Sequence, residues 1–333
     1  MRLSGQTLGT AAAIAPRLGF EYAPGKDART ILRGGVGVFY AGMPLLGGSF
    51  PANPNRVVTL FDPQGNPLGT PVTLPNVYAH VGENGYQILP PGQDLDSTPY
   101  DMTWNAELDR EISSHLTLRL SYLGSRTYNL FVVGPQQLPG SNPVLLMSNT
   151  GGSRYRELQS TVRYRAGNFA DFNFSYIHSL TRGDLNVLSQ VYVTFEQPVI
   201  RPNLFSVSNS DVPNRFLAWG DIHLPWKLNA SPVLDVHSGF PYSAVDALQD
   251  YVGQPNSLRF PTFISFDLKL SKDFRIPFLP WLKDHPLRGA IGIYNVTNHL
   301  NPRDVYNNIT SPYFGHFAGP QHRTLEPFID LEY

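Results

Sequence analysis

The chain contains no cysteine, which excludes disulfides, cysteine-held metal sites and thiol catalysis. Charge is scarce too: 15% of the 333 residues are Asp, Glu, Lys or Arg, and the formal net charge is -1. No basic run breaks that balance, which argues against nucleic acid as a partner. Long apolar runs are missing as well. No window approaches the roughly 18 consecutive apolar residues of a membrane-crossing helix, so membrane embedding would have to be by strands. The opening MRLSGQTLGTAAAIAPR mimics a signal peptide, but its apolar patch, Ala11 to Ala15, falls short of the roughly 7 residues such a core needs. Residues 1–15 are therefore expected to be an irregular segment or the remnant of a preceding strand or loop, with Met1 inside a longer reading frame.

Catalytic patterns are equally absent. There is no G-x-S-x-G elbow and no H-E-x-x-H pair, and the nine histidines are scattered. Gly34-Gly35-Val36-Gly37 lacks the register and the following helix of a phosphate loop, so these read as glycines of a crowded strand. Asp94, Asp96 and Asp101 are the only calcium candidates; without an EF-type spacing the expected reading is an acidic loop with no ion. No enzyme, no cofactor and no metal is expected.

What is abundant points to β-structure with long loops: 17 Tyr, 20 Phe, 29 Gly and 30 Pro. The last eleven residues, RTLEPFIDLEY, alternate Leu325, Ile329, Leu331 and Tyr333 against Glu326, Phe328, Asp330 and Glu332, with Pro327 interrupting the apolar set. An ordinary edge strand is one reading. The other is the closing strand of an outer-membrane barrel, whose terminal aromatic sits in the interfacial girdle. The pattern resembles the C-terminal mark read by the barrel-assembly machinery, which makes Ile329, Leu331 and Tyr333 a candidate membrane-assembly signal.

From residue 17 onward about eleven stretches alternate in this way. They cover 17–22, 30–40, 99–112, 116–123, 155–165, 169–179, 215–224, 228–238, 262–272, 287–298 and 323–333. Residues 41–98, 124–154, 182–213, 240–260 and 299–322 read as loops, 273–286 as a medium turn, and the remaining joins are short, such as Ser113-Ser114-His115, Ala166-Gly167-Asn168 and Pro225-Trp226-Lys227. Short and long connections alternate strictly, as in barrels with short periplasmic turns and long extracellular loops. Aromatics at the short-turn ends, Tyr22, Tyr164, Phe169, Trp226, Phe274, Phe278, Trp281 and Tyr333, suit an interfacial girdle better than a soluble core. The polar set Asp101, Asn105, Glu107, Arg119, Arg163, Asp171, Asp267 and Lys269 is then lumen-facing, mostly as wall networks. His237 and His299 could serve that lumen, although a solvated or hydrogen-bonded histidine is the simpler expectation.

Six blocks carry a family resemblance: PRLGFEYAP (Pro16 to Pro24), LRGGVGVFY (Leu32 to Tyr40), TWNAELDREI with LRLSYLGSRTYNL (Thr103 to Leu130), DVPNRF (Asp211 to Phe216), SGFPYS (Ser238 to Ser243) and IYNVTNHLNP (Ile293 to Pro302). In this order they resemble TonB-dependent outer-membrane receptors, most nearly the Oar-like class. The resemblance implies an all-β, antiparallel transmembrane barrel portion over residues 16–333, the C-terminal half of a barrel of about 22 strands. It further implies outer-membrane location, contact with lipid and the assembly machinery, and uptake of a large scarce nutrient of the siderophore or oligosaccharide class. Coupling to the TonB complex would run only through a plug and box that have no counterpart in these residues. The ligand is not readable. The competing reading is a soluble or surface-attached all-β module that binds glycan or protein through its loops.

Overall fold

The computed structural model describes residues 14–331 apart from 26, 28, 42–48, 63, 83–84, 91–94, 96–97, 138–139, 141, 189–198 and 275–286. In chain order its strands begin with β1 (Arg17–Tyr22), β2 (Thr30–Tyr40), β3 (Arg56–Phe61), β4 (Pro67–Leu74), β5 (Asn76–Gly82) and β6 (Gly85–Ile88). Four long strands follow, β7 (Tyr100–Ser113), β8 (Leu116–Gln136), β9 (Val144–Ala166) and β10 (Ala170–Asp184), then the short β11 (Phe205–Val207). Next come β12 (Asn214–Leu224), β13 (Leu228–His237), β14 (Pro241–Tyr242), β15 (Leu258–Arg259) and β16 (Phe263–Phe274). The last four are β17 (Leu287–Tyr294), β18 (Asp304–Val305), β19 (Phe317–Ala318) and β20 (Thr324–Leu331).

One path of antiparallel neighbours, β1-β2-β7-β8-β9-β10-β12-β13-β16-β17-β20, makes the wall. These are the eleven stretches expected from alternation. β1 pairs with β2 and β20 with β17, and among the described residues no ladder joins β1 to β20, as half of a larger barrel would leave them. Because residues opposite each other in a ladder share a face, the register sorts the wall cleanly. Leu18 opposes Val36, Val36 opposes Trp104, and Trp104 opposes Gly124; one step along, Glu21 opposes Arg33, Arg33 opposes Glu107, and Glu107 opposes Ser121. One face is therefore apolar and the other polar over many neighbouring strands.

The apolar face is bare. Leu18, Phe20 and Ile329 are 74%, 63% and 76% exposed, and Leu120, Tyr122, Leu158, Tyr176 and Ile291 are exposed too. A water-soluble domain does not leave so continuous an apolar surface uncovered, whereas hydrocarbon requires it. Glycines on this face receive rings from the next strand: a Cβ at Gly124 would run into the Trp104 indole, and one at Gly34 into the Phe20 ring. The short-turn ends carry aromatics as expected. Tyr22, Tyr164, Phe169 and Phe274 are exposed, and Trp226 is 85% exposed in the three-residue join Pro225–Lys227, where it and Lys227 take left-handed φ of 61° and 59°, as the central pair of a type I′ turn does. Phe278, Trp281 and Tyr333 lie outside the described residues.

The long-loop end departs from expectation. Residues 124–154 are not a loop: β8 and β9 run 21 and 23 residues and extend well beyond the wall. Residues 41–98 are not irregular throughout, since β3 to β6 lie there. The reason is burial on both faces. Phe50, Tyr78, Val133, Leu145, Met147 and Leu188 are sealed in one apolar cluster, so the strands that carry them lack the alternation of a half-buried strand. Here β5 joins β9 in parallel through Asn76↔Leu145 and Tyr78↔Met147, the one parallel ladder among the described residues. A register break between Thr127 and Leu130 on β8, with Asn129 at φ 57°, marks where the wall ends and this cap begins.

Candidate functional site: the polar face of the wall

Alternation puts Glu21, Arg33, Glu107, Asp109 and Arg119 on one face of β1, β2, β7 and β8, close enough for one guanidinium to bridge three carboxylates. Arg33 donates from Nε to Glu21 at 2.7 Å, and from Nη1 to Glu107 at 2.8 Å and to Asp109 at 2.5 Å. Arg119 takes the other side of Asp109 in a bidentate pair, 2.7 and 3.0 Å, and comes within 3.7 Å of Glu107. The ladder continues on β9 and β10, where Arg163 Nε lies 3.0 and 3.1 Å from the two Asp171 oxygens and Arg165 approaches the same carboxylate at 3.6 Å. Arg215 pairs with Asp235 at 2.7 Å between β12 and β13, and Arg288 with Asp273 at 2.7 Å between β16 and β17. Such pairs are part-exposed, so their net worth is modest. Their consequence is geometric: each pair ties neighbouring strands together on the polar face and neutralises the two charges it joins.

A cleft of about 780 Å³ opens on this face, with Glu107, Asp109, Arg119, Gln159, Thr161 and Arg163 among its walls. Thr161 and Gln159 both meet Ser175 Oγ, at 3.0 and 2.8 Å, so hydroxyls and amides fill in between the charges. A surface of this kind can hold water and pass hydrogen-bonding solutes. Among the described residues no three His, Asp or Glu side chains group into a metal-binding set.

Of the eight polar residues expected at a lumen, Glu107, Arg119 and Arg163 line this cleft, and Asp171 holds Arg163 from beside it. The others stand elsewhere on the wall. Asp101 accepts a hydrogen bond from the Thr127 hydroxyl, and Asn105 Oδ1 sits where a Cβ at Gly35 would be 3.0 Å away. Asp267 accepts from Ser265 Oγ at 2.6 Å and from the Asn295 N–H at 2.7 Å; Lys269 holds its amine 5.6 Å above the Phe328 ring. Arg33 and Asp109, the centre of the cluster, belong to the same alternating polar sets but were not singled out by sequence. Their parity was the available cue; the three-carboxylate convergence is visible only once β1, β2 and β7 are in register. Of the calcium candidates, Asp94 and Asp96 lie outside the described residues. His237 stacks on Phe263 with centroids 4.6 Å apart, and His299 Nδ1 lies 3.1 Å from Asn301 Oδ1, so both are held locally.

At the long-loop end, Asp211 is fully buried. It accepts from the Thr181 N–H at 2.6 Å and pairs with Arg259 at 2.5 Å, tying β15 down onto the end of β10. Tyr242, Phe260 and Phe317 cluster with ring centroids 5.4 to 6.2 Å apart, and burial pushes the Tyr242 hydroxyl above its usual pKa. Beside them a second cleft, about 340 Å³, is lined by His237, Phe240, Phe260, Phe263, Arg303 and Gln321. Aromatic walls with a few polar groups are what ligand sites commonly present.

The long antiparallel wall, apolar on one face and polar on the other, is that of a bacterial outer-membrane β-barrel. The family described as Outer membrane beta barrel domain matches residues 5–250, and the chain belongs to it. No curated protein matches the chain in sequence. Among solved structures, the outer membrane transporter YddB from Escherichia coli is similar in fold, with a TM-score of 0.61, 13% identity, and coverage of 96% of this chain and 40% of that one. The FrpB iron transporter from Neisseria meningitidis is similar at a TM-score of 0.53 and 11% identity, covering 95% of this chain and 38% of that one. The chain thus spans about two fifths of the length of these transporters.

Proposed function

We propose that the chain forms part of the barrel wall of a TonB-dependent receptor-like transporter that takes up a large scarce nutrient of the siderophore or oligosaccharide class. The observation that carries this reading is the two-faced wall: a paired Arg–carboxylate ladder on one side of the strands whose other side is bare apolar surface. On this reading residues 16–333 are the C-terminal half of a barrel of about 22 strands, and Asp101, Asn105, Glu107, Arg119, Arg163, Asp171, Asp267 and Lys269 face the lumen or a plug. The cap and the aromatic cleft beside Tyr242 would meet the incoming ligand first. Ile329, Leu331 and Tyr333 would mark the chain for the barrel-assembly machinery, consistent with an exposed Ile329 on the apolar face. The bare apolar face weighs against a soluble adhesion module.

The test is accumulation by cells that express the protein from its own gene, offered a labelled ferric siderophore or a labelled oligosaccharide, with and without a protonophore. Saturable accumulation of one class, abolished by the protonophore, is the expected result. Accumulation of neither class above that of cells lacking the gene overturns the transport reading.

A further inference from the structure

Most arginines of the polar face meet carboxylates, as Arg33, Arg119, Arg163, Arg215 and Arg288 do; on the apolar face a row of three does not. Arg126 on β8 is directly opposite Arg154 on β9, and Arg154 is directly opposite Arg182 on β10. Like charges in directly opposed positions are destabilising, and no carboxylate among the described residues forms an ion pair with any of them. Their guanidiniums lie instead against rings: Arg126 is 4.7 Å from the Tyr128 centroid, and Arg154 and Arg182 are 5.8 and 6.0 Å from that of Phe205. Arg182 Nε is buried with no hydrogen-bond partner. Asp184, which lines the same cleft as Arg126 and Arg154, is engaged by the Gly152 N–H at 2.6 Å and by Asn203 Nδ2 at 2.7 Å. Another exposed arginine, Arg156, stands two residues nearer the short turns on β9, while Arg182 is half-buried.

Height decides what this row meets. It lies ten to twelve residues from the short-turn ends of β8, β9 and β10. At about 3.3 Å per residue and a tilt of about 35–45°, that is about 23–32 Å, the upper border of an apolar band about 25 Å tall. The register break at Thr127 lies immediately beyond it. A cleft of about 250 Å³ opens there, lined by Arg126, Tyr128, Asn129, Arg154, Asp184 and Phe205.

We propose that Arg126, Arg154 and Arg182 form a binding site for the phosphate groups of an anionic lipid of the outer leaflet. Guanidinium forks match phosphate oxygens bidentately, and a phosphate supplies the negative charge that the protein itself withholds from this row. The apolar face below, with Leu158, Leu180 and Trp104, would lie along the acyl chains. The proposal rests on the orientation of the wall in the membrane and is independent of what is transported.

The experiment extracts the full protein from outer membranes in mild detergent and measures retained phosphorylated glycolipid by native mass spectrometry. Wild type is expected to keep the lipid, and R126Q/R154Q/R182Q to retain about tenfold less or lower. R126K/R154K/R182K, which keeps the charge, is expected to fall between. Equal retention by wild type and the glutamine triple overturns the proposal. If the glutamine triple fails to show the heat-modifiable mobility of a folded barrel, wild type stripped of lipid and titrated with the glycolipid before and after enzymatic dephosphorylation decides. Preference for the phosphorylated form supports the site, and equal binding overturns it. Inorganic phosphate is the third arm: if it displaces the lipid at millimolar concentration, the row is a soluble-anion site and the lipid assignment is overturned.

Discussion

Trp104 lies against Gly124, its directly opposed partner on the neighbouring strand, with the indole filling the space a Cβ would take. Replacing Gly124 by valine would therefore expel the ring from the apolar face. We expect G124V to cost about 1–3 kcal/mol and to shift the tryptophan emission of the folded protein. Denaturant unfolding in detergent micelles measures the first, and a variant as stable as wild type would show that the contact is dispensable.

Arg33 is the clamp that holds β1 to the wall through side chains, since it alone joins Glu21 to Glu107 and Asp109. In R33Q the Asp109–Arg119 pair remains, but Glu21 loses its partner. Amide exchange should then rise across Arg17–Tyr22 while Tyr100–Ser113 keeps its protection. Equal loosening of both strands would count against a local clamp.

Asp211 is buried with two donors pointed at it, the Thr181 N–H and the Arg259 guanidinium. D211A strands both. Discounted for the partial exposure of Arg259, the expected loss is about 2–4 kcal/mol, confined to the long-loop end. Limited proteolysis should cut residues 238–260 faster, with heat-modifiable mobility unchanged.

The hairpin of β3 and β4 supplies a pH dependence outside the wall. The Asn66 side chain, then the Asn66 and Gln64 N–H groups, donate to the Asp62 carboxylate and hold its pKa below the usual range. A depressed carboxylate stabilises when ionised, so its contribution is present above about pH 3.9 and is lost as pH falls through the lower folded value. Amide exchange in residues 56–74 should accelerate below that point in wild type, and D62N should remove the dependence.

The wall was legible because each of its strands has one face against a different medium from the other. Leu116, Leu118, Leu120 and Tyr122 against Thr117, Arg119 and Ser121 could only be read as a two-faced strand. The cap was not legible for the same physical reason. Val144 to Met147 is apolar at every position because both sides are covered, and a run of that kind carries no period. Parity puts the candidate site residues on the polar face, but it cannot distinguish Arg119, held by Asp109, from Lys269, which rests on Phe328. Arg126, Arg154 and Arg182 were in plain view in the sequence; what makes them a site is that three ladders bring them side by side.

The central claim is that one face of this wall meets water and the other meets lipid. The absence of cysteine makes it directly testable by single-cysteine substitution along β9. Cysteines at Glu157, Gln159, Thr161 and Arg163 should react with a membrane-impermeant maleimide in intact outer membranes, and those at Leu158, Ser160, Val162 and Tyr164 should not, the second set reacting only after detergent extraction or with a lipid-soluble reagent. Uniform labelling, or labelling with the opposite parity, would contradict the account.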